Sequence, residues 1–472
     1  MEKYDFIFIY EHKVRELENL CLMKYELDSR GYQTKIIYID DAKNAMFDRP
    51  VYHTKVLCTM ACYDNYTLFW HTKQYIKFDK VIDLQWENVV YTKDENREGA
   101  YKNYLGIGRD VVHISWGNQN YIRLRDTAHL DPRKIKLTGH VGMDFLREPL
   151  CRYYLSREKL LLKYNIDNGK KVVLFASPYY GDSLSEDYIS GMCERFGEDW
   201  TQYYDFMLES QKIVLEWFDR VCAQDENLLI VYRPHPGHPS KRAEEIEKRH
   251  DNFRIISSES VKQWILACDR VYTGNSTVVV EAYFANKDCQ LLFPLEITDG
   301  FELKLIEDSK KIIDFEGFKE SLYSDNNEFP TPQSSIEEIY LVDNEKPSYV
   351  RFADVAEEVI KDKYYSLTWL QRWKFKEYSF LEIMVRLFTH IPIVYDLYLS
   401  LLDTSIHTKF LDSQRERREQ AYEYVKKVEN DHAHELSSDN EINSIIERIK
   451  NAICIGGCNE QFNYSCGSGK RE

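Results

Sequence analysis

The sequence lacks several features that would place a protein in a familiar class. It has no apolar run close to the ~20 residues of a membrane-spanning helix, and its N-terminus runs straight into a predicted strand, without the apolar segment of a signal peptide. Basic residues are outnumbered, since 62 Lys and Arg face 78 Asp and Glu and give a net charge of −16 over 472 residues. This balance argues against general binding to nucleic acid, whose phosphates require a basic surface.

Familiar ligand and metal motifs are also missing. The sequence contains no Gly-x-Gly-x-x-Gly loop, no P-loop and no convincing Asp-x-Asp metal clamp. Its 11 cysteines are odd in number and irregularly spaced, which is typical of reduced cytosolic thiols. Cys58/Cys62 and Cys454/Cys458 are C-x3-C pairs, but no His pair at zinc-finger spacing accompanies them. We therefore expect a cytoplasmic protein that has no bound metal and no cofactor.

The first 300 residues contain short apolar runs that alternate with longer helical patterns, which is typical of parallel α/β architecture. A first series of strands is predicted at 6–10, 35–39, 55–58, 80–84, 111–115 and 135–138. A second series is predicted at 171–177, 228–232, 253–256, 270–272 and 290–293. Two such series predict two Rossmann-like lobes with a cleft between them, and ligand sites beyond the carboxyl ends of the strands.

The predicted domain organisation follows from these series and from the composition of the remaining chain. The strand signal fades after about residue 300, and the later chain has the pattern of helices rich in aromatic and charged residues. The predicted regions are an N-terminal Rossmann-like lobe, 1–146; a connector, 147–168; a C-terminal lobe, 169–300; a mixed loop and helix region, 301–347; a helical extension, 348–452; and a tail, 453–472.

The strongest local motif is the segment Leu228–Pro239, in which a buried-type strand ends at Arg233 and prolines follow. Prolines prevent the strand from continuing, so a rigid loop is predicted at its carboxyl end. The loop holds Arg233 and His235 at the rim of the lobe, where a guanidinium and an imidazole suit a phosphate or diphosphate. The alternative is a Pro-rich surface turn. His238 repeats the His-Pro dipeptide and is interpreted as an echo rather than a second site.

A second motif follows the predicted strand 270–272 and consists of Gly274, Asn275, Ser276 and Thr277. Ser276 is placed to cap a helix that begins at Thr277, and the free amides of such a helix end attract a phosphate. Glu281 lies in the first turns of that helix, where it is placed to accept hydrogen bonds from a ribose. The alternative is a plain helix cap followed by a solvent-facing Glu. Ser177, at the end of another strand, is assigned to the same site by position alone.

Taken together, these motifs make the chain similar to bacterial GT-B transferases of surface-polysaccharide assembly. That group includes the β-Kdo transferases of capsule and lipopolysaccharide, bacterial sialyltransferases, and the CDP-glycerol glycerophosphotransferases with an Arg-x-His-Pro element. His235-Pro236 matches the "HP" motif and Ser276-Thr277 the "Ser/Thr" motif. Segments 114–119 and 136–144 are similar to proteins of surface carbohydrate biosynthesis. The acidic-acidic-Gly motif and the His-Gly acceptor loop are absent as such.

The resemblance implies a two-lobed GT-B glycosyltransferase with a C-terminal helical extension. Its donor would be a nucleotide-activated sugar, CMP-linked and Kdo- or sialic-acid-like, and its acceptor a growing surface glycan or lipid-linked glycan bound by the N-terminal lobe. The donor-binding residues implied are Arg233, His235, Pro236, Gly274, Asn275, Ser276, Thr277, Glu281 and Ser177. Three alternatives remain: transfer of a polyol phosphate from CDP-glycerol or CDP-ribitol, nucleotide-sugar 2-epimerisation, and a non-enzymatic assembly factor.

The predicted catalytic residues are Glu87 and His235. A transferase that inverts the anomeric centre needs a base for the acceptor hydroxyl, and Glu87 lies just past the carboxyl end of a predicted strand. The alternative for Glu87 is a surface loop position, and Asp83, inside the strand, is interpreted as structural. Helix dipoles and Arg233 would neutralise the leaving nucleotide, so metal-independent chemistry is predicted.

The predicted acceptor-binding residues are Trp116 and Gln119, which follow another strand end and offer stacking and hydrogen bonding. Packing between the lobes is an equally good interpretation of Trp116. His113 and His140 are interpreted as structural histidines.

Segment 361–390 differs in charge from the rest of the chain. It has six Lys and Arg against three Asp and Glu, together with many aromatic residues. A basic aromatic helix suits the anionic inner face of the cytoplasmic membrane, where lipid-linked acceptors reside. The alternatives are a helical cap on the lobes and an oligomer interface.

Overall fold

The computed structural model describes residues 2–39, 52–72, 76–86, 91–92, 104–235, 238–297, 300–325, 327–368, 371, 391–431 and 433–456. The chain forms two compact units, each assembled from three stretches of sequence. Unit 1 comprises Met1–Val141, Ile297–Lys310 and Thr331–Ile442, and unit 2 comprises Gly142–Glu296, Lys311–Pro330 and Asn443–Glu472.

Unit 1 is built on a parallel sheet of six strands. The strands are β1 (Glu2–Tyr10), β2 (Thr34–Tyr38), β3 (Tyr52–Thr59), β4 (Ile76–Asp83), β5 (Val112–Ser115) and β6 (Ile135–Leu137), in the order β2-β1-β3-β4-β5-β6. Its first helices are α1 (Lys13–Ser29), α2 (Asn65–Thr72) and α3 (Asn118–Ile122). Phe6 to Tyr10 are buried without interruption, because β1 pairs on both sides and both faces of a parallel sheet are covered.

Unit 2 contains a second parallel sheet of six strands. They are β7 (Lys171–Ala176), β8 (Leu228–Arg233), β9 (Phe253–Ile255), β10 (Arg270–Thr273), β11 (Cys289–Leu292) and β12 (Lys311–Ile312), in the order β12-β11-β10-β7-β8-β9. The helices are α4 (Arg157–Lys163), α5 (Glu186–Phe196), α6 (Glu198–Cys222), α7 (Lys241–Arg249), α8 (Val261–Ala267), α9 (Val278–Phe284) and α10 (Phe315–Tyr323). The central strand β7 therefore lies between β10 and β8.

The described residues of the C-terminal part include the helices α11 (Gln333–Ile339), α12 (Ser348–Lys361), α13 (Pro392–Leu402), α14 (Lys409–Asp431) and α15 (Asp439–Gly456). In unit 1, the side chain of Lys80 on β4 caps the C-terminus of α12. Its ammonium donates to the carbonyls of Val359, Ile360 and Asp362 at 2.7, 2.7 and 2.9 Å. A cation at a helix C-terminus satisfies carbonyls that have no partner within the helix. The contact explains a buried lysine inside a strand.

The two sheets and the C-terminal helices confirm the predicted α/β class with two Rossmann-like lobes and a helical extension. All eleven predicted strands are present within a few residues of their predicted bounds, and the short edge strand β12 was not predicted. Of segment 361–390, only 361–368 and 371 lie within the described residues. None of the helices described is both long enough and apolar enough to cross a membrane.

Candidate functional site

Three predicted site segments of unit 2 begin side by side at one edge of its sheet. Ser177 follows β7, His235 follows β8 and Gly274 follows β10, and these three strands are neighbours. Two hydrogen bonds tie the strand ends together: the Ser177 N–H donates to the Arg233 carbonyl at 2.9 Å, and the Thr273 hydroxyl donates to the Ala176 carbonyl at 2.8 Å. The carboxyl ends of parallel strands are where α/β sheets bind ligands. The structure therefore brings the two sequence motifs to one place.

The loop after β7 is held by Ser177 and Tyr179. The Ser177 hydroxyl donates to the Tyr179 carbonyl at 3.0 Å and accepts from the Tyr179 N–H at 3.2 Å. The Tyr179 ring is buried, its hydroxyl donates to the Leu292 carbonyl at 2.7 Å, and burial raises its pKa. A Cβ on Gly274 would lie 2.7 Å from that hydroxyl, so only glycine fits there. The contacts of Ser177 make it a support for the loop.

Arg233 holds a neighbouring loop through its guanidinium. The group donates to the carbonyls of Ile256, Ser257, Ser258 and Glu259 at 3.1, 3.3, 2.7 and 2.8 Å. Four of its five N–H donors are thereby used. Burial lowers the pKa of Arg233 to about 10, while the nearby Tyr164, Glu259 and Glu281 favour its charged form. The direct contact with a phosphate predicted for Arg233 stays a prediction, and the contacts seen assign it to positioning the loop 256–259.

His235 lies in a cluster of three rings. The Tyr180 ring centroid is 4.9 Å from that of His235 and 4.9 Å from that of His238, and the two imidazoles are 5.3 Å apart. The His238 N–H donates to the His235 carbonyl at 2.9 Å, and its Nδ1 lies 3.0 Å from the Ser183 hydroxyl. Burial lowers the pKa of His238, which favours the neutral form of its ring. His238 thus accompanies His235, although the sequence suggested only an echo. Pro236 lies outside the described residues.

The segment after β10 leads into α9, which is seven residues long and begins one residue later than predicted. The capping position of α9 is Thr277, not Ser276 as predicted, and Thr277 makes no side-chain cap bond. The Ser276 hydroxyl, one residue earlier, accepts a hydrogen bond from the Val278 N–H at 3.3 Å. Asn275, Ser276 and Thr277 are partly exposed, so their polar groups are accessible to a ligand. Glu281 is close enough to Arg233 to favour the charged guanidinium. Glu281 of the second motif therefore lies near Arg233, the last residue of β8 and a member of the first motif.

The predicted acceptor residues lie in unit 1, in and beside a group of rings that we call the aromatic cluster: Trp86, Trp116, His140 and Tyr340. Trp116 is only 5% exposed, and its ring centroid lies 4.3 Å from that of His140 and 5.6 Å from that of Tyr340. Trp86 contacts His140 at 5.7 Å. Gln119 donates to the Glu338 carboxylate at 3.4 Å. Glu87, the predicted base, lies outside the described residues.

Asp83 and His113, both interpreted as structural from the sequence, lie in a buried polar network with Gln85 and Tyr104, which the sequence did not single out. Asp83 accepts from the Gln85 N–H at 2.9 Å and lies 3.0 Å from Nδ1 of His113, and Gln85 donates to the Tyr104 hydroxyl at 2.9 Å. All four side chains are enclosed, and Gln85 has a left-handed φ of 55°. A non-glycine residue adopts that conformation only where its surroundings hold it. Asp83 and His113 therefore shape the chain that leads to Trp86.

Within the described part of the chain, no group of three or more His, Cys, Asp and Glu is arranged to hold a metal ion.

No protein-family model matches the sequence, and no curated protein matches it. Solved structures with a similar course of the backbone include the wall teichoic acid polymerase TagF, with 16% identity and a TM-score of 0.46, over 75% of this chain and 88% of TagF. A UDP-N-acetylglucosamine 2-epimerase has 13% identity and a TM-score of 0.45, over 78% of this chain and 100% of the epimerase. MnaA of S. aureus with UDP has 11% identity and a TM-score of 0.44, over 76% and 97%. Similarities this low assign no substrate and no residue role.

Proposed function

We propose that the protein is a glycosyltransferase that takes its sugar from a nucleotide-activated donor, with the nucleotide bound in unit 2. One observation carries the proposal: the segments after β10, β7 and β8, which hold both sequence motifs, begin side by side at the carboxyl edge of one parallel sheet. Ligands of such sheets bind at this edge. The resemblance of the two motifs to those of cytidine-dependent enzymes makes a cytidine nucleotide the first donor to test.

The polar groups of this edge suit a sugar nucleotide. Asn275, Ser276 and Thr277 offer partly exposed amide and hydroxyl groups to phosphate oxygens. His235 is the cationic or hydrogen-bonding group for the same oxygens, and Glu281 accepts from the ribose hydroxyls. Arg233 contributes without contacting the ligand, because its guanidinium donates hydrogen bonds to the loop 256–259 and lies near Glu281. In this proposal the residues 275–277, His235 and Glu281 contact the ligand, and Arg233 positions the surrounding chain.

The proposed reaction is direct displacement at the anomeric carbon. An acceptor hydroxyl forms the new C–O bond, the bond between the sugar and the donor phosphate breaks, and the hydroxyl proton passes to a base, for which Glu87 is the prediction from sequence. Negative charge then develops on the leaving phosphate. Hydrogen bonds from His235 and from the backbone of the Ser276 segment would stabilise that charge.

A thermal-shift panel of CMP, CDP, UDP, GDP and their common sugar conjugates tests the donor site. A ligand at 100 times its Kd stabilises the fold by about 2.7 kcal/mol, which shifts Tm by about 3 °C when all 472 residues unfold together. We expect a cytidine nucleotide to give this shift and His235→Ala and Ser276→Ala to abolish it. His407→Ala and Ser400→Ala, at exposed positions, are matched controls. No shift with any nucleotide would contradict the proposal.

Product analysis separates the alternatives that share a nucleotide site. A phosphodiester in the product would identify transfer of a polyol phosphate, since the atom attacked is then phosphorus. Turnover of the donor in the absence of any acceptor would identify an epimerase. A new glycosidic bond to an added glycan is the expected result.

A further inference from the structure

Asn120 and Trp86 are among the side chains of unit 1 whose buried polar atoms have no hydrogen-bond partner in the described part of the chain. Both the oxygen and the nitrogen of the Asn120 carboxamide are buried without a hydrogen-bond partner there, and so is Nε1 of Trp86. Asn120 is only 3% exposed. A buried polar group left unpaired costs about 1–3 kcal/mol, and each such group in a native protein needs an explanation.

Both residues lie at the carboxyl edge of the unit 1 sheet. Trp86 comes shortly after β4, and Asn120 lies in α3, shortly after β5. Because β4 and β5 are paired, the two segments leave the sheet side by side. Trp86 also shares the aromatic cluster with Trp116, which follows β5 directly. The unsatisfied atoms therefore belong to one region, and it is the edge at which parallel sheets bind ligands.

The backbone of this region is also irregular. After Asn120, α3 passes into a π-helical turn over Arg123–Thr127 instead of continuing as an α-helix. π-helical turns are rare and occur frequently at functional sites, because they sacrifice regular hydrogen bonding to place side chains. This second observation indicates that the region is shaped for binding.

We propose that this edge of unit 1 binds a polyhydroxylated ligand, a glycan, through the Asn120 carboxamide and the Trp86 indole N–H. The carboxamide offers an acceptor oxygen and two donor hydrogens, and a sugar hydroxyl both donates and accepts. The partly exposed Trp86 ring adds an apolar surface for the C–H face of a sugar. Unpaired amide and indole groups and an aromatic surface are complementary to a neutral sugar, which satisfies them without bringing charge into the region.

The inference deepens the proposed function and rests on it, because the bound glycan is the acceptor. It also changes which residues recognise the acceptor. Gln119, predicted from sequence, already donates to Glu338, whereas its neighbour Asn120 has no partner among the described residues. Asn120 and Trp86 are therefore the residues that determine acceptor specificity.

Saturation-transfer NMR on the full chain, without nucleotide, tests the site with five probes: glucose, galactose, N-acetylglucosamine, lactose and cellobiose. We expect binding of at least one probe, and a Kd about tenfold or more weaker in Asn120→Leu and in Trp86→Phe, which keeps a ring but loses the N–H. Asn118→Leu, exposed on the same helix, is the matched control and should bind as the wild type does. Asn120→Leu should also unfold at a higher temperature, since an apolar group of similar size replaces an unpaired amide.

No transfer with any of the five probes, or unchanged affinity in both variants, overturns the glycan site. A lower Tm of Asn120→Leu with unchanged sugar binding also overturns it, because the amide then bonds to an enclosed water. Nucleotide binding without sugar binding removes this inference alone. Sugar binding without nucleotide binding removes the proposed function, and with it the acceptor role of the glycan, but leaves the glycan site itself.

Discussion

The guanidinium of Arg233 donates to the carbonyl of Glu259 at 2.8 Å, and Glu259 has a left-handed φ of 66°. A residue other than glycine is disfavoured in that conformation, because its Cβ is crowded, unless the surrounding structure stabilises it. Arg233, at the end of β8, stabilises this conformation, because its guanidinium also donates three hydrogen bonds to the carbonyls of the residues just before Glu259. A strand end that carries one motif thus fixes the shape of a loop that sequence reasoning did not connect to it.

Replacing Arg233 by Met should therefore destabilise unit 2. Methionine keeps the apolar stem but leaves four carbonyls without their donor, so the expected loss is about 3 kcal/mol in the free energy of unfolding. Urea denaturation measures it. Arg249→Met is the control, because Arg249 is an exposed partner of Asp219 whose loss should cost less than about 1 kcal/mol. Equal, small losses in both variants would show that the loop 256–259 holds itself.

Gly274→Ala should disturb the same edge by crowding. Its Cβ would lie 2.7 Å from the Tyr179 hydroxyl and 3.0 Å from Pro178, and Tyr179 cannot withdraw without losing its bond to the Leu292 carbonyl. We expect a loss of about 1–3 kcal/mol in unfolding free energy and a smaller nucleotide-induced Tm shift. Tyr179→Phe removes the crowded oxygen, so the double variant should lose less than the two single losses added. Strict additivity would place the strain elsewhere.

The fold was predictable where sequence and burial coincide. The run Val172 to Phe175 is apolar at every position because β7 is paired on both sides and covered on both faces, and such runs are visible in a sequence. The edge strand β12 has only two residues, Lys311 and Ile312, and carries no such signal. A buried central strand such as β7 can thus be predicted from its apolar run, whereas a short edge strand such as β12 depends on tertiary contacts that the sequence does not show.

The site was predictable in position but not in the duties of its residues. Proline spacing places Arg233 and His235 at a strand end, yet only the fold shows that the guanidinium turns to the loop 256–259. His238 looked like a repeat because sequence distance does not show that its ring meets Tyr180. Asn120 could not be identified at all, since an unsatisfied amide is defined by the groups around it and not by its neighbours in sequence.

The enclosed pair of Asp83 and His113 leads to a prediction for unit 1. Asp83→Asn should cost about 1–3 kcal/mol in unfolding free energy, because an acceptor oxygen is replaced by an NH2 group and buried donors lose their hydrogen-bond partner. The double variant Asp83→Asn/His113→Gln should lose less than the sum, since the two single substitutions remove the same contact. Urea denaturation of the three variants gives the coupling. A coupling near zero would mean that the 3.0 Å contact carries no net interaction.

Glu16, in the first turn of α1, predicts how stability depends on pH. Burial raises its pKa from 4.5 to about 7, although the backbone N–H groups of Glu11 and His12 act in the opposite direction. Between these two values the native protein keeps a proton that the unfolded chain has released. Stability should therefore be highest below pH 4.5 as far as this group is concerned, and should fall as pH rises through about 7.

The total contribution of Glu16 is about 3 kcal/mol, because one unit of pKa corresponds to 1.36 kcal/mol. Glu16→Gln cannot ionise, so it should be more stable than the wild type at pH 8 and nearly equal to it at pH 5. Urea denaturation at the two pH values measures the difference. Glu245→Gln, at an exposed position on α7, should leave the pH dependence of the wild type in place. If Glu16→Gln keeps that dependence too, Glu16 is ionised in the folded protein, and the burial of its carboxylate is balanced by the amides at the start of α1.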